Sequence, residues 1–420
     1  MKHKQTGYLS WTGRKLFFIF FILFTASCKK DLPPPVPGAI TGQKNLCPAD
    51  SGITYSIAPV EGSDYYLWTV PDDASIISGQ GTTSIVIKFG NKSGQICVRS
   101  NNKKEVSEAA CLDISQGGIS NHWCREKDFK GGGRTEGVGF SIGSKGYMGT
   151  GHDGTSSMYR DFWQYDPASN TWTQMADFGG TKRFDAVGFS IGNKGYIGTG
   201  YVTTGFLKDF WEFDPTLDKW TQKADCGDTA RAFAFGFSIG NKGYVGSGGD
   251  GLFQTRRDLL EYDPATDHWV KKANLSVKSN GGSSFSIGNK GYLFRGSDGS
   301  LYHTDFWEYN PADSSLGFDI NHHPLGKWTQ KANFPGPIRY AAAGFSIGDK
   351  GYFGTGTDGT NYYKDFFEYN PASDSWLQKS DFEGEGREFS FGFAIGKNGY
   401  IGAGNKINSV VFNDFWVYGQ

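Results

Sequence analysis

The sequence has almost no net charge and few residues of the kinds that build metal or redox sites. Its 420 residues carry a formal charge of -1, and the isoelectric point is near 6.7. This balance gives no broad attraction to nucleic acid or to an anionic membrane surface, so no nucleic-acid partner is expected. Only seven histidines are present, without the spacing typical of zinc ligands. We therefore expect neither a metal nor a cofactor.

Long apolar runs and helical periodicity are also scarce. The one long apolar run, LFFIFFILF at residues 16–24, is far too short to span a bilayer. Few stretches carry an apolar period of 3.6 residues. By contrast, 61 glycines and an aromatic content of 16% favour strands joined by tight turns. The composition predicts an all-β protein.

The N-terminus reads as an export signal. Basic residues precede the apolar run, and small residues follow it in FTASC, which ends on Cys28. This order resembles a bacterial lipobox, which implies that residues 1–27 are a lipoprotein signal peptide and that Cys28 is lipidated. An ordinary signal peptide with an incidental cysteine is the alternative. The resemblance to Gram-negative lipoproteins implies attachment to the outer membrane through the lipid anchor, on its periplasmic or cell-surface face.

A proline-rich linker at residues 28–37 precedes a small β-rich region at 38–115. Six short β-rich runs, mostly separated by Gly, Asp, Asn and Ser clusters, have the spacing of a β-sandwich, with Trp68 on an inward face. The phrases YYLWTVP, SGQGTTSIVIKFG and GQICV resemble PKD-like modules of immunoglobulin type, which implies a spacer. Cys97 and Cys111 fall on adjacent antiparallel strands, so we predict a disulfide between them. The remaining mature-chain cysteines have no obvious pairing.

A repeated phrase fills the rest of the chain. GFSIGNKGYIGTG at 188–200 recurs with small changes in six copies that begin at Gly139, Gly188, Gly236, Ser284, Gly344 and Gly392. Each copy precedes a second phrase of the type DFWEYDP, and all but the last continue into a strand that contains tryptophan. The pattern resembles the kelch repeat, which is related to galactose-oxidase-like propellers and implies a β-propeller of four-stranded blades.

The ends of the repeat region indicate how a propeller would close. The sixth copy stops after DFWVYGQ at 414–420 and lacks its fourth strand, whereas NHWCREKDF at 121–129 aligns with NTWTQMADF at 170–178. We therefore predict a six-bladed propeller over residues 119–420, in which strand 121–129 completes the last blade.

Arginines recur at a fixed place before the first strand of a blade. In five copies an arginine stands six residues before that strand's phenylalanine: Arg134, Arg183, Arg231, Arg339 and Arg387. The fourth copy has Ser279 at this position, and Arg295 ends its second strand. We expect these arginines to rim the channel mouth and to bind a carboxylate, a sulfate or an acidic sugar. The alternative is that they tie neighbouring loops together.

The loops after the second strands vary most, as binding loops do on a rigid scaffold. Asp-Gly pairs and aromatic residues in them are typical of sugar sites, although turn formation and rim packing are open alternatives. The candidate ligand contacts in these loops are His152, Asp153, Tyr159, Phe206, Phe253, Tyr302, His303, Tyr362 and Tyr363. A further insertion in the fourth copy, 315–326, carries His322 and His323, and we interpret it as a surface loop.

Three functions fit these patterns. The leading hypothesis is a non-catalytic surface lipoprotein that binds a glycan or a protein partner at the arginine-rimmed face. A second is a sugar mutarotase resembling the sialic-acid mutarotase, with Glu136 and Asp185 as its acid–base pair. A third is a structural spacer or assembly subunit. Copper oxidase chemistry is excluded, because no cysteine falls in a central loop.

Overall fold

The computed structural model describes residues 33–47, 51–90, 92–116, 121–251, 254–407 and 410–419. Cys28, the signal peptide and Phe253 lie outside these residues. The described part of the chain is built from strands and contains no helix. None of its segments is therefore a helix able to cross a membrane.

The N-terminal domain is a sandwich of two sheets. Alternate residues point inward, as in Tyr65–Thr69, where Tyr66 and Trp68 are buried. The indole Nε1 of Trp68 donates a hydrogen bond to the carbonyl of Thr82 at 2.8 Å, so the core tryptophan leaves no polar atom unpaired. In spatial order the strands are Asn45–Leu46, Ala110–Gln116, Gly94–Asn101 and Tyr65–Thr69 in one sheet, and Ser51–Ser56, Ser84–Lys88 and Ser75–Ser78 in the other.

Two disulfides stabilise this region. The predicted bond between Cys97 and Cys111 joins neighbouring antiparallel strands. A second bond, which the sequence did not reveal, joins Cys47 of the sandwich to Cys124 at the start of the propeller. Cys226 is a buried free thiol, and burial raises its pKa to about 12. Its protonated form packs as a small apolar side chain.

Six four-stranded units follow, each running from an inner to an outer strand. The blades comprise, in order, Val138–Ile142, Lys145–Gly149, Phe162–Asp166 and Thr171–Met175; Val187–Ile191, Lys194–Gly198, Phe210–Asp214 and Lys219–Lys223; Phe235–Ile239, Lys242–Gly246, Leu259–Asp263 and His268–Lys271; Ser283–Ile287, Lys290–Phe294, Phe306–Asn310 and Lys327–Lys331; Ala343–Ile347, Lys350–Gly354, Phe366–Asn370 and Ser375–Gln378; Phe391–Ile395, Asn398–Gly402, Phe415–Gly419 and His122–Glu126. Short strand pairs in the loops are Tyr201–Val202 with Gly205–Phe206, Arg231–Ala232 with Gly249–Asp250, and Asn405–Lys406 with Val410–Val411.

The repeated phrase encodes the packing of one blade on the next. Its phenylalanine, such as Phe140, packs on the glycine of the following blade's second strand. A Cβ at Gly195 would lie 2.5 Å from the Phe140 ring, so this position accepts only glycine without a shift of the aromatic ring. The same contact recurs where Phe189 meets Gly243. Both faces of each sheet are therefore buried between neighbours.

The last blade takes its outer strand from the other end of the domain. His122–Glu126 lies beside Phe415–Gly419: the amide of Asn121 donates to the carbonyl of Gly419 at 2.8 Å. Trp123 is fully buried there, and its ring centroid lies 5.1 Å from that of Tyr418. The ring is thus closed by a strand that precedes all the other blades in sequence.

The outer strands are linked around the ring by tryptophans. Each indole Nε1 donates to a backbone carbonyl of the neighbouring blade, at distances from 2.9 to 3.3 Å. The pairs are Trp172–Lys127, Trp220–Ala176, Trp269–Ala224, Trp328–Ala273, Trp376–Ala332 and Trp123–Ser380.

Candidate functional site

The recurrent arginines are buried inside the loops. Each forms a two-pronged ion pair with the aspartate at the start of its blade's third strand, and its Nη1 also donates to a backbone carbonyl. In Arg183, Nη1 and Nη2 lie 2.6 and 2.7 Å from the two carboxylate oxygens of Asp209. The five pairs are Arg134–Asp161, Arg183–Asp209, Arg231–Asp258, Arg339–Asp365 and Arg387–Asp414.

Aromatic rings cover several of these guanidinium groups. Arg134 lies between Phe129 and Tyr159, with its Cζ 4.6 and 4.4 Å from the two ring centroids. Tyr363 stacks on Arg339 in the same way, at 4.3 Å. Tyr159 and Tyr363 are therefore packing residues of the arginine sites, and their rings are already occupied.

The prediction that these five arginines bind a ligand is wrong. Arg134, Arg183, Arg339 and Arg387 are 0% exposed and Arg231 is 1% exposed, so no ligand reaches them. Their geometry is that of the loop-tying alternative, because a buried guanidinium must be paired with charge and carbonyl groups. The prediction failed because spacing gives the place of a residue in a loop and not the direction of its side chain.

The fourth blade uses a substitute for the missing arginine. Ser279 occupies the arginine position, and its hydroxyl donates to the carbonyl of Arg295 at 2.7 Å. The guanidinium of Arg295 in turn lies 3.3 Å from Asp305, which is the third-strand aspartate of that blade. Arg295 thus replaces the absent guanidinium, but its side chain keeps 12% exposure and it is not free for a ligand carboxylate.

The other predicted loop contacts are spread over the same face. Asp153 accepts from the amides of Thr155 and Ser157, and these bonds lower its pKa to about 2. His303 pairs with Asp298 at 3.0 Å. Phe206 packs against Tyr201 in a short hairpin, and Tyr302 stacks on Tyr340 with 4.7 Å between ring centroids. His152 contacts Glu136, and Tyr362 hydrogen-bonds to Glu388, so these two predicted contacts lie near the channel.

The mouth of the central channel is a ring of six residues, one from each blade, two positions after each arginine or its serine replacement. All six have left-handed backbone dihedrals, with φ between 51° and 59°. Five backbone hydrogen bonds join them: each amide from Asp185 onward donates to the carbonyl of the preceding blade's residue, at 2.8–3.3 Å. We call this set the channel mouth: Glu136, Asp185, Phe233, Gly281, Ala341 and Phe389.

The side chains of the channel mouth line a cavity of about 130 Å³. Glu136 and Asp185, which were predicted as an acid–base pair, lie next to each other on one side. Phe233 and Phe389 come from opposite blades, with 6.3 Å between ring centroids. Gly281 and Ala341 leave room for these rings. The cavity therefore combines two carboxyl groups with two aromatic side chains.

The two carboxyl groups share a buried environment. Asp185 is 7% exposed, and burial, followed by the charge and hydrogen bond of Glu136, raises its pKa well above the usual value. Glu136 Oε2 also lies 3.0 Å from Nε2 of His152, whose ring packs against Phe184. The protonated form of Asp185 is thus favoured beside Glu136.

Glu388 is a third acidic residue at this end of the channel, and the sequence analysis missed it. It is 8% exposed; its Oε1 accepts from Asn405 at 3.1 Å, and Tyr340 and Tyr362 hydrogen-bond to the same carboxyl group. Burial raises its pKa, to which the charge of Glu136 contributes. Its sequence signal is its position directly after Arg387.

The insertion at 315–326 folds over the neighbouring third blade. Lys272, which is 5% exposed, donates to Asp319 Oδ2 at 2.6 Å and to the carbonyl of Pro324. His323 lines a groove beside it, and His322 is exposed. Among the described residues, one group has the ligand atoms of a metal site close together, namely Cys47, His122 and Cys124. The two sulfurs are bonded to each other, so they offer no thiolate to a metal.

Comparisons with known proteins agree with this architecture. A family model described as a PKD-like domain matches residues 33–114, which are the sandwich. A solved structure titled "Structure of YjhT" is similar with a TM-score of 0.58 and 17% sequence identity, covering 69% of this chain and 95% of that one. At this identity the likeness is one of fold. No curated protein matches the sequence. The prediction of an all-β chain with a six-bladed propeller behind a PKD-like sandwich is confirmed.

Proposed function

We propose that the protein is an exported, membrane-anchored lipoprotein whose propeller binds a saccharide at the channel mouth, with the sandwich as a spacer. The lipobox-like order of residues at Cys28 supports the anchor. The predicted binding face is still the loop face, but we now assign the ligand contacts to the channel mouth and not to the arginines. The carrying observation is the cavity that brings Glu136 and Asp185 together with Phe233 and Phe389.

The chemistry of this cavity suits a polyhydroxylated ligand. Carboxyl groups accept hydrogen bonds from sugar hydroxyls, and aromatic rings cover the apolar C–H faces of a sugar. Acidic sugars are a poor fit, because no lysine or arginine lines the cavity within the described residues. The kelch-like pattern of the repeats is consistent with this role and does not determine the ligand.

Glycan-array screening of the purified full-length chain, followed by calorimetry, tests the proposal. We expect saccharide binding that falls at least tenfold in Glu136→Gln and Asp185→Asn, since each change removes an acceptor in the cavity. The matched control is Asp177→Asn, an exposed carboxylate paired with Arg160 outside the cavity. Equal losses in the control, or the absence of any saccharide ligand, would contradict the proposal.

A second candidate function is sugar ring opening, and the raised pKa of Asp185 beside Glu136 favours it. Asp185 would donate its proton to the ring oxygen while the Glu136 carboxylate removes the proton of the anomeric hydroxyl. The ring C–O bond then breaks and a carbonyl forms; re-closure reverses both transfers. Such a pair contributes about 10²–10⁴-fold to the rate.

Polarimetry of freshly dissolved α-D-glucose with the full-length chain tests this candidate. Catalysis that disappears in Asp185→Asn but persists in Asp177→Asn would support it. A rate equal to that of buffer alone would reject catalysis on this sugar and leave the binding proposal standing.

A further inference from the structure

Within the described residues, the channel mouth is lined by acidic groups and by no lysine or arginine. Glu136 and Asp185 line the cavity, and Glu388 is close enough that the charge of Glu136 affects its titration. The arginines of the surrounding loops are buried and paired with their own aspartates. His152 pairs with Glu136 and is the one cationic candidate in contact within the described part of the chain.

One carboxyl oxygen at this end of the channel has no hydrogen-bond donor in the described part of the chain. It is Oδ2 of Asp185, and this residue is more than nine-tenths buried. A buried oxygen of this kind costs free energy unless a proton or a donor satisfies it. Asp185 lines the cavity, so its carboxyl group borders the space that a bound ligand would occupy.

Aromatic rings complete the surroundings of these carboxyls. Phe233 and Phe389 lie across the mouth from one another, and Tyr340 meets Phe389 edge to face, with 5.6 Å between centroids. Proteins use carboxylates together with aromatic rings to bind ammonium groups. The carboxylate pairs with the cation, and the ring face adds a further attraction. A neutral hydroxyl would gain much less from the rings.

We infer that the ligand of the channel mouth carries a protonated primary amine, as an amino sugar with an unmodified amino group does. The inference rests on the proposed saccharide function and specifies its ligand class. The ammonium group donates to the carboxyl groups of Asp185 and Glu136, and the sugar ring packs on Phe233 and Phe389. The amine competes with the proton that the raised pKa of Asp185 retains, so binding should be accompanied by proton release.

The groups that face this pair come from three blades. His152 contacts Glu136 from the loop of the first blade. Glu388 belongs to the sixth blade, and Tyr340 and Tyr362 of the fifth blade hydrogen-bond to it. Protonation of Asp185, whose pKa is raised by burial and by Glu136, competes with the amine, so affinity should increase as the pH rises above the usual aspartate range.

Calorimetry with three matched tetrasaccharides tests the inference on the full-length chain. The probes are the β-1,4-linked glucosamine tetramer, its fully N-acetylated form and the glucose tetramer. We expect the glucosamine tetramer to bind at least tenfold more tightly than either neutral probe at pH 7.5. This preference should decrease at high salt, and buffers of different ionisation heat should report the released proton.

Substitutions separate charge recognition from folding. Asp185→Asn should remove the preference for the glucosamine tetramer while Asp177→Asn retains it, with circular dichroism confirming the fold of both. Equal affinity for charged and neutral tetramers would overturn the amine inference and leave the saccharide proposal intact. Failure of these probes and of every saccharide on the array would overturn both. Tight binding of the glucosamine tetramer that Asp185→Asn does not weaken would place the amine elsewhere and reject the inference.

Discussion

Charged side chains on the loop face fall into two groups that differ in their surroundings. The arginines are buried with a partner for nearly every donor, whereas Asp185 is buried with an oxygen that no donor satisfies. The first arrangement is that of a structural ion pair and the second that of a site awaiting a ligand or a proton. The contrast separates Glu136 and Asp185, which line the cavity, from the arginines, which are buried in ion pairs of their own.

Replacing a loop arginine should lower stability. In Arg183→Met, Asp209 loses the two hydrogen bonds that outweigh burial and keep its pKa below the usual value. The free energy of unfolding should decrease by about 3–5 kcal/mol, as for other broken buried pairs. Urea denaturation measures the loss. Arg160→Met, at an exposed pair with Asp177, is the control and should cost under about 1 kcal/mol. Unchanged stability in Arg183→Met would restore the ligand-binding interpretation.

The raised pKa of Asp185 predicts a pH dependence of stability. The folded state holds this proton above the pH at which the unfolded state loses it, so stability falls as pH rises from about 4 through the raised pKa. Asp185→Asn mimics the protonated form and should lack this loss, which amounts to about 1.4 kcal/mol per pH unit over the window. Thermal unfolding at pH 4 and pH 8 should show a higher melting temperature for the variant than for the wild type only at pH 8. Parallel pH profiles would contradict the assignment.

The positions of the strands could be predicted because the repeated phrase contains the residues that pack one blade on the next. The alternation in GFSIG and the glycine opposite each phenylalanine determine which face meets which neighbour, so the blades could be predicted. The closure strand could be predicted because Trp123 aligns with the outer-strand tryptophans. By contrast, the contacts of the channel mouth join residues about fifty positions apart in separate blades. Neither these contacts nor the bond between Cys47 and Cys124 leaves a local signal.

The strand His122–Glu126, which closes the ring, should contribute as much to stability as the outer strand of any other blade. Trp123 packs between Phe366, Phe382 and Tyr418, and its indole donates to Ser380. Trp123→Ala should therefore cost about 3–5 kcal/mol, comparable with Trp220→Ala in the second blade. Chemical denaturation of both variants tests this. A much smaller loss for Trp123→Ala would mean that the last blade is stable without its outer strand.

At the scale of the whole molecule, a covalent bond connects the sandwich to the strand that closes the propeller. The Cys47–Cys124 bond spans 77 residues, and the Cys97–Cys111 bond spans 14 within the sandwich. Longer closed loops restrict the unfolded chain more strongly. The two bonds therefore have different expected effects.

Removing the long-range disulfide should cost more than removing the local one. A chain-entropy estimate gives about 4.5 kcal/mol for Cys47→Ser with Cys124→Ser, and about 3 kcal/mol for Cys97→Ser with Cys111→Ser. Differential scanning calorimetry, with limited proteolysis between the domains, distinguishes the pairs. On non-reducing gels, we expect proteolysis between the domains to separate the sandwich from the propeller only in the first variant. Separation of the domains in the second variant alone would contradict the assigned roles.

The position of this bond has a mechanical consequence. Tension applied from the N-terminal side reaches Cys47 before most of the sandwich and passes through the sulfur bridge directly into the strand at Cys124. Residues 51–116 lie outside this covalent path and are held to the N-terminal segment by weaker contacts, such as the pairing of Asn45–Leu46 with Ala110–Gln116. Once those contacts break, the force acts in shear on the antiparallel pair that seals the ring. A strong pull from the N-terminal side would thus strain the closure of the propeller through the sulfur bridge.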